Sequence, residues 1–195
     1  MRRIIKRYAA LNGLYRRRNC PMSLPIYLIG ARGCGKTTVG EALSRALGYA
    51  FRDTDHHLQL STQRSVAQIV ADEGWEGFRA RETESLKAVT APATVIATGG
   101  GMVLAEHNRR YMREQGRVIW LSAPSHILAQ RLESQPEAAQ RPTLTGRPIA
   151  EEMDDILRER AHLYRDAAHH EVNAMQPPER VIDDILQSLS LARAS

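Results

Sequence analysis

The chain has 195 residues, 43% of them apolar and 25% charged, with a net charge of +5. That size and composition fit a single globular domain with its own core and exclude fibrous, collagen-like and wholly disordered classes. Apolar runs of a few residues are too short for a membrane span, which needs about 20.

The first element is a basic arm. Seven of the 27 basic residues lie in the first 24 positions, which hold no acid, so residues 25–195 carry a net charge of −2. Positive charge therefore belongs to a tail, and a nucleic-acid-binding body is not implied. Ile4, Tyr8, Leu11 and Tyr15 share one helical face within it. Three readings stand open for residues 1–23: a targeting peptide, an arm touching membrane or RNA, or sequence upstream of a start at Met22. In each, the extension lies outside the fold, and one domain spans 24–195.

From Leu24 short apolar runs alternate with longer amphipathic segments. Leu24–Ile29 reads as a strand, followed by a glycine loop and a helix over Lys36–Leu47 closed by Gly48. Ala50–Asp53 is a second strand. Val66–Val70 and Phe78–Val89 fall in helices, within a helical stretch expected over about 55–90. Thr94–Ala97 is a third strand, ended by Gly99-Gly100-Gly101. A helix near His107–Glu114, a strand Val118–Leu121 and a helix Ser125–Glu133 follow. After a loop come a helix over Ala150–Ala168, a strand His170–Asn173 and a helix Pro178–Leu191. Strands alternating with helices in this way predict parallel βαβ units and a three-layer α/β/α sandwich.

Two cysteines, Cys20 and Cys34, with no Cys-x-x-Cys make neither a disulfide framework nor a zinc site. They suit a reducing, cytoplasmic location.

The strongest chemical signal is Gly30-Ala31-Arg32-Gly33-Cys34-Gly35-Lys36-Thr37-Thr38. It matches the G-x-x-x-x-G-K-[ST] phosphate loop and sits between a strand and a helix, as that loop requires. Gly33 and Gly35 let backbone N–H groups curl around phosphate oxygens, and the helix N-terminus adds its dipole. Lys36 is placed to reach the β- and γ-phosphates, with the Thr37 hydroxyl on Mg²⁺. Cys34 reads as a small residue filling the loop, with a redox role as the alternative.

A phosphate-loop protein also needs a carboxylate for its metal. The third strand runs straight into glycine, whereas Asp53 and Asp55 follow the second strand. In extended chain, residues two apart point to one side, so both are expected in one cavity. Asp53 would hold Mg²⁺ and Asp55 an acceptor hydroxyl; capping of a following helix is the competing reading. The next two residues, His56 and His57, diverge on a helix and do not form a metal pair.

Three glycines suggest close approach of the backbone to a small ligand. Arg79 and Glu82, one turn apart, are equally well a surface pair or an oriented arginine awaiting a carboxylate. Residues 133–148 form a long Pro- and Gly-containing loop with Arg141 and Arg147, readable as a lid or as disorder. Arg160 on the long helix is either surface charge or a second anion clamp.

Taken in order, Phe-x-Asp-x-Asp, Phe-Arg-x-x-Glu, Gly-Gly-Gly, Arg-Pro and Arg-x-x-x-Tyr resemble the shikimate kinase family, and within it the second-isozyme type. The resemblance runs from about Met22 to the C-terminus. It implies a P-loop kinase fold with five parallel strands ordered 2-3-1-4-5 and a lid. It implies transfer of the ATP γ-phosphoryl group to the 3-hydroxyl of shikimate, in the pathway to aromatic amino acids. Mg²⁺ is the implied cofactor, ATP and shikimate the implied partners, and a monomer without nucleic acid or membrane the expectation. Catalytic roles fall to Lys36, Asp55 and Arg141. ATP binding falls to Gly33, Cys34, Gly35, Lys36, Thr37, Thr38 and Arg141, and Mg²⁺ to Thr37 and Asp53. Shikimate binding falls to Asp55, Arg79, Gly100 and Arg160. Arg131 is a weaker candidate for the adenine side. A gluconate kinase and a non-catalytic nucleotide-binding module with a nucleic-acid-binding tail are the competing functions.

Overall fold

The computed structural model describes residues 24–134 and 148–191. The expected extension over 1–23 lies outside them, as does nearly all of the expected lid with Arg141. Strand β1 (Ile26–Ile29) leads through the phosphate loop into α1 (Lys36–Leu47), then β2 (Ala50–Asp53), α2 (Thr54–Thr62) and α3 (Val66–Val89). Strand β3 (Thr94–Ala97), a 3₁₀ turn (Met102–Leu104), α4 (Glu106–Gln115), β4 (Arg117–Ser122) and α5 (Ser125–Glu133) follow. The chain then continues with α6 (Ile149–Ala167), β5 (His170–Asn173) and α7 (Pro178–Leu191).

All strand pairs are parallel, in the order β2-β3-β1-β4-β5. The three-layer sandwich and the implied strand order both hold. Strand β1 is central and buried along its whole length, as is β3 beside it. Strands covered on both faces read as unbroken apolar runs, which is why these two were plain in the sequence. Ile26 and Leu28 pack with α1, α5 and α7 on one side. Tyr27 and Ile29 turn to the other, against Leu86 and Val89 of α3, Met112 of α4 and Tyr164 of α6.

Two features position the site. Helix α2, the following helix of the capping reading, starts where β2 ends, with Asp53 as its N-cap. Helix α3 opens on a capping box, in which Ser65 and Gln68 satisfy each other's backbone N–H at 2.8 and 3.2 Å. It is broken at Gly74, whose φ of 70° and ψ of 179° lie in a region open only to glycine. Arg81, beyond the break, clasps Glu73 just before it through two contacts of 2.6 and 2.8 Å. Leu58, Ile69 and Phe78 form a separate small core beneath α2 and α3.

Candidate active site

The loop between β1 and α1 has left-handed glycines at Gly33 (φ 77°) and Gly35 (φ 93°), the latter the N-cap of α1. No side chain caps that helix, so its first-turn N–H groups are not claimed by a capping side chain. They border a cavity of about 450 Å³, shared with Thr37, Asp53, Asp55 and Arg131. Lys36 Nζ donates to the Gly30 and Ala31 carbonyls at 2.8 and 2.9 Å, which draws its ammonium over the loop. Cys34 is buried in the loop, with its Sγ 3.6 Å from Lys36 Nζ.

Thr37 Oγ1 donates to Asp53 Oδ2 at 3.1 Å. The other Asp53 oxygen accepts the N–H groups of Asp55 and His56 at 2.9 and 3.2 Å. Asp53 thus caps α2 and meets the Thr37 hydroxyl at once, so the capping and metal readings are compatible. A hydroxyl beside a carboxylate oxygen is the hard-oxygen pair that Mg²⁺ takes from protein when phosphates supply its other ligands. Asp55 reaches the cavity by a different route from the one its spacing suggested: it lies in the first turn of α2, not on extended chain. His57 Nδ1 sits 3.1 Å from Ser85 Oγ. Among the described residues, no group of three or more His, Cys, Asp or Glu is placed to hold a metal ion.

A second cavity, of about 390 Å³, adjoins the first, and Arg32 and Gly100 line both. Arg79, Glu82 and Arg160 supply polar groups to its lining, with Val66, Val70 and Trp75 among the apolar ones. Arg79 pairs with Glu82, whose side chain is 4% exposed, so the pair is a partly buried device and not a surface one. The guanidinium lies 5.7 Å from the Trp75 ring centroid and 5.4 Å from that of Phe78. Arg160 faces the same cavity; its Nη1 donates to the Gly100 carbonyl at 3.4 Å, and its Nε is buried without a partner.

The triple glycine serves protein side chains as much as any ligand. A Cβ on Gly99 would lie 2.8 Å from Asp55 Oδ1 and 2.9 Å from Glu82 Oε1. One on Gly101 would strike the Arg79 guanidinium, 2.8 Å from Cζ and 2.9 Å from Nη2. One on Gly100 would meet nothing nearer than 3.6 Å. Thr54 ties this segment to α2: its hydroxyl accepts the Gly99 N–H at 2.9 Å, and its carbonyl accepts from Ser85 at 2.7 Å.

Arg131 bridges the phosphate loop to the segment after β5, donating to the Gly33 and Ala174 carbonyls at 3.4 and 2.8 Å. Sequence reasoning passed over Arg32, Thr54 and Trp75. Only Arg32 carried a signal, its place inside the phosphate loop.

The profile of the shikimate kinase family matches residues 32–190. Shikimate kinase 2 from Erwinia tasmaniensis is 70% identical over 174 residues, 89% of this chain and the whole of that protein. The chain belongs to the shikimate kinase family. Shikimate kinase 2 from an Enterobacter species is 60% identical over 89% of this chain and all of its own length. A solved shikimate kinase from Acinetobacter baumannii, in complex with shikimate, superposes with a TM-score of 0.81 at 34% identity. That superposition covers 93% of this chain and 98% of the other. Shikimate kinases typically use Mg-ATP. No helix among the described residues is long and apolar enough to cross a membrane.

Proposed function

We propose that this shikimate kinase transfers the γ-phosphoryl group of ATP to the 3-hydroxyl of shikimate, giving shikimate 3-phosphate and ADP. One observation carries the reading: a phosphate-loop cavity and an arginine-lined cavity meet along the Arg32–Gly100 wall. Phosphoryl transfer asks for in-line positioning and charge neutralisation more than covalent help, and two adjoining sites provide the first.

In this reading the loop amides from Gly33 to Thr38, Cys34 included, and Lys36 hold the triphosphate. Thr37 and Asp53 hold one Mg²⁺, which supplies neutralisation of charge on the phosphates. Arg79 and Arg160 take the carboxylate, since guanidinium groups match it bidentately. Glu82 and the Trp75 face keep Arg79 in place. Gly100 allows the ring close to the wall, and Asp55 accepts the hydrogen bond of the reacting hydroxyl and receives its proton as the O–P bond forms. Arg141 is assigned to the nucleotide phosphates by its family motif. The reading takes the protein as a monomer working in the cytoplasm.

An ADP-release assay with shikimate, gluconate or no acceptor tests the assignment. Shikimate-dependent release, at least about 100-fold above gluconate at equal concentration, is the expected result, within the scale set by a mismatched polar site (about 10⁴- to 10⁵-fold). Comparable rates with gluconate, or release independent of acceptor, would refute it.

A further inference from the structure

Helix α6 sends two side chains to a single acceptor; they are four residues apart and so share a face. Tyr164 Oη donates to the Gly100 carbonyl at 2.7 Å, and Arg160 Nη1 approaches the same oxygen at 3.4 Å. The phenol is 1% exposed, and its ring stacks on Trp120 of β4 with centroids 5.8 Å apart. Burial pushes its pKa well above that of free tyrosine, so the hydroxyl stays a donor at any working pH. Arg160 is less committed. Its Nη1 contact lies beyond the usual N–H···O range of about 2.7–3.2 Å, and its Nε is buried with no partner.

The Gly100 carbonyl is partly buried, where a protein donor satisfies it best. Two are within reach of Gly100, and the phenol takes the short position from a rigid, stacked ring. The longer and more flexible guanidinium is thereby spared that duty and remains on the wall of the second cavity, with an unfilled N–H. From this division of labour we infer that Tyr164 is a positioning residue: its hydroxyl satisfies Gly100 so that Arg160 stays turned toward the substrate carboxylate. The inference rests on the proposed shikimate site. It concerns a residue that is not among those lining either cavity, and the link joins positions 64 apart in the chain.

Tyr164→Phe keeps the ring and its stacking on Trp120 and deletes the hydroxyl, which donates to Gly100 and also meets the Arg160 guanidinium. Arg160 is then the nearest group able to satisfy Gly100, and its guanidinium closes on that oxygen. The shikimate dissociation constant, measured by calorimetry, and the shikimate KM should each rise about tenfold, the upper range for one hydrogen bond. The ATP KM should change less than twofold. An Arg160→Lys background completes a double-mutant cycle: there, adding Tyr164→Phe should shift shikimate affinity less than twofold.

An unchanged shikimate KM overturns the inference. So does a parallel rise in both KM values, which would mean that the Gly100 peptide moved and not Arg160. Persistence of the full effect in the Arg160→Lys background overturns it as well. Failure of Tyr164→Phe to fold would do the same, by making the hydroxyl a purely structural requirement. Absence of shikimate phosphorylation by the wild-type chain would instead sink the functional reading beneath it.

Discussion

Gly101→Ala isolates one arginine without touching it. Gly101 has φ −93° and ψ −2°, a bridge-region conformation open to alanine as it is to the third residue of type I turns. The new methyl group would lie 2.8 Å from Arg79 Cζ, against an ordinary contact of 3.4 Å or more, so the guanidinium must retreat by at least about 0.6 Å. The side chain can move, being 28% exposed and unbranched, and the fold therefore absorbs the change. Substrate binding does not. A hydrogen bond to a charged group is worth about 1.5–3 kcal/mol, roughly 10- to 150-fold in affinity. Misplacement by about 1 Å has a cost of similar size, near 10². Steady-state kinetics with varied shikimate and fixed saturating ATP should show KM for shikimate up by 10- to 150-fold by that reckoning. The ATP KM should hold, and the melting temperature should fall by no more than a few degrees. A near-normal shikimate KM would refute the steric reasoning. A large loss of thermal stability with proportionate loss of all kinetic parameters would refute it too, by showing that the backbone yielded instead of Arg79.

Asp55→Asn should abolish shikimate turnover while nucleotide binding, followed by calorimetry, survives; near-wild-type kcat would remove Asp55 from the reaction. Arg141→Ala should lower kcat by about 10³-fold or more, as for other arginines acting on a transferring phosphoryl group, with an unchanged melting temperature; equal losses in rate and stability would count against it. His169 accepts the Val118 N–H through Nδ1, and burial with the nearby Arg113 and Arg117 charges lowers its pKa to about 4 from 6.5. The unfolded chain then takes up this proton first, so stability is fully present above pH 6.5 and falls as pH drops towards 4. Melting curves across that window should flatten in His169→Gln, and an unaltered slope would dismiss the residue as a source.

What the sequence made legible follows from physics that acts locally. Helix α5 and strand β5 carry the expected bounds because Pro124 and the turn at Ala174 punctuate them within a few residues. Helix α2 was legible only as a helix for the acidic strand end to cap, without bounds of its own, because its run Thr-Asp-His-His-Leu-Gln-Leu-Ser-Thr has no apolar stripe; it is started by the Asp53 cap and buries only Thr54 and Leu58. Asp53 and Asp55 were found by their chemistry and spacing, though a helical first turn and not a strand presents Asp55. Arg79 and Glu82 stayed ambiguous for a sound reason: only tertiary packing buries Glu82 and turns an exposed-looking pair into a fixture of the cavity. The glycine triplet advertised crowding, but what crowds Gly99 and Gly101 comes from α2 and α3, and nothing near those glycines in the chain announces it.

Because Arg32 and Gly100 belong to both chambers at once, the partition between them is a single layer of chain. A tethered inhibitor, with an adenosine polyphosphate at one end and a carboxylated ring at the other, would need only a short linker over that divide. Joining the ends would convert the second docking event into an intramolecular one, at an effective concentration in the millimolar range for a short flexible linker. Resistance by substitution at the divide would then carry a built-in handicap, since any bulk that repels the tether also narrows the passage for the natural reactants.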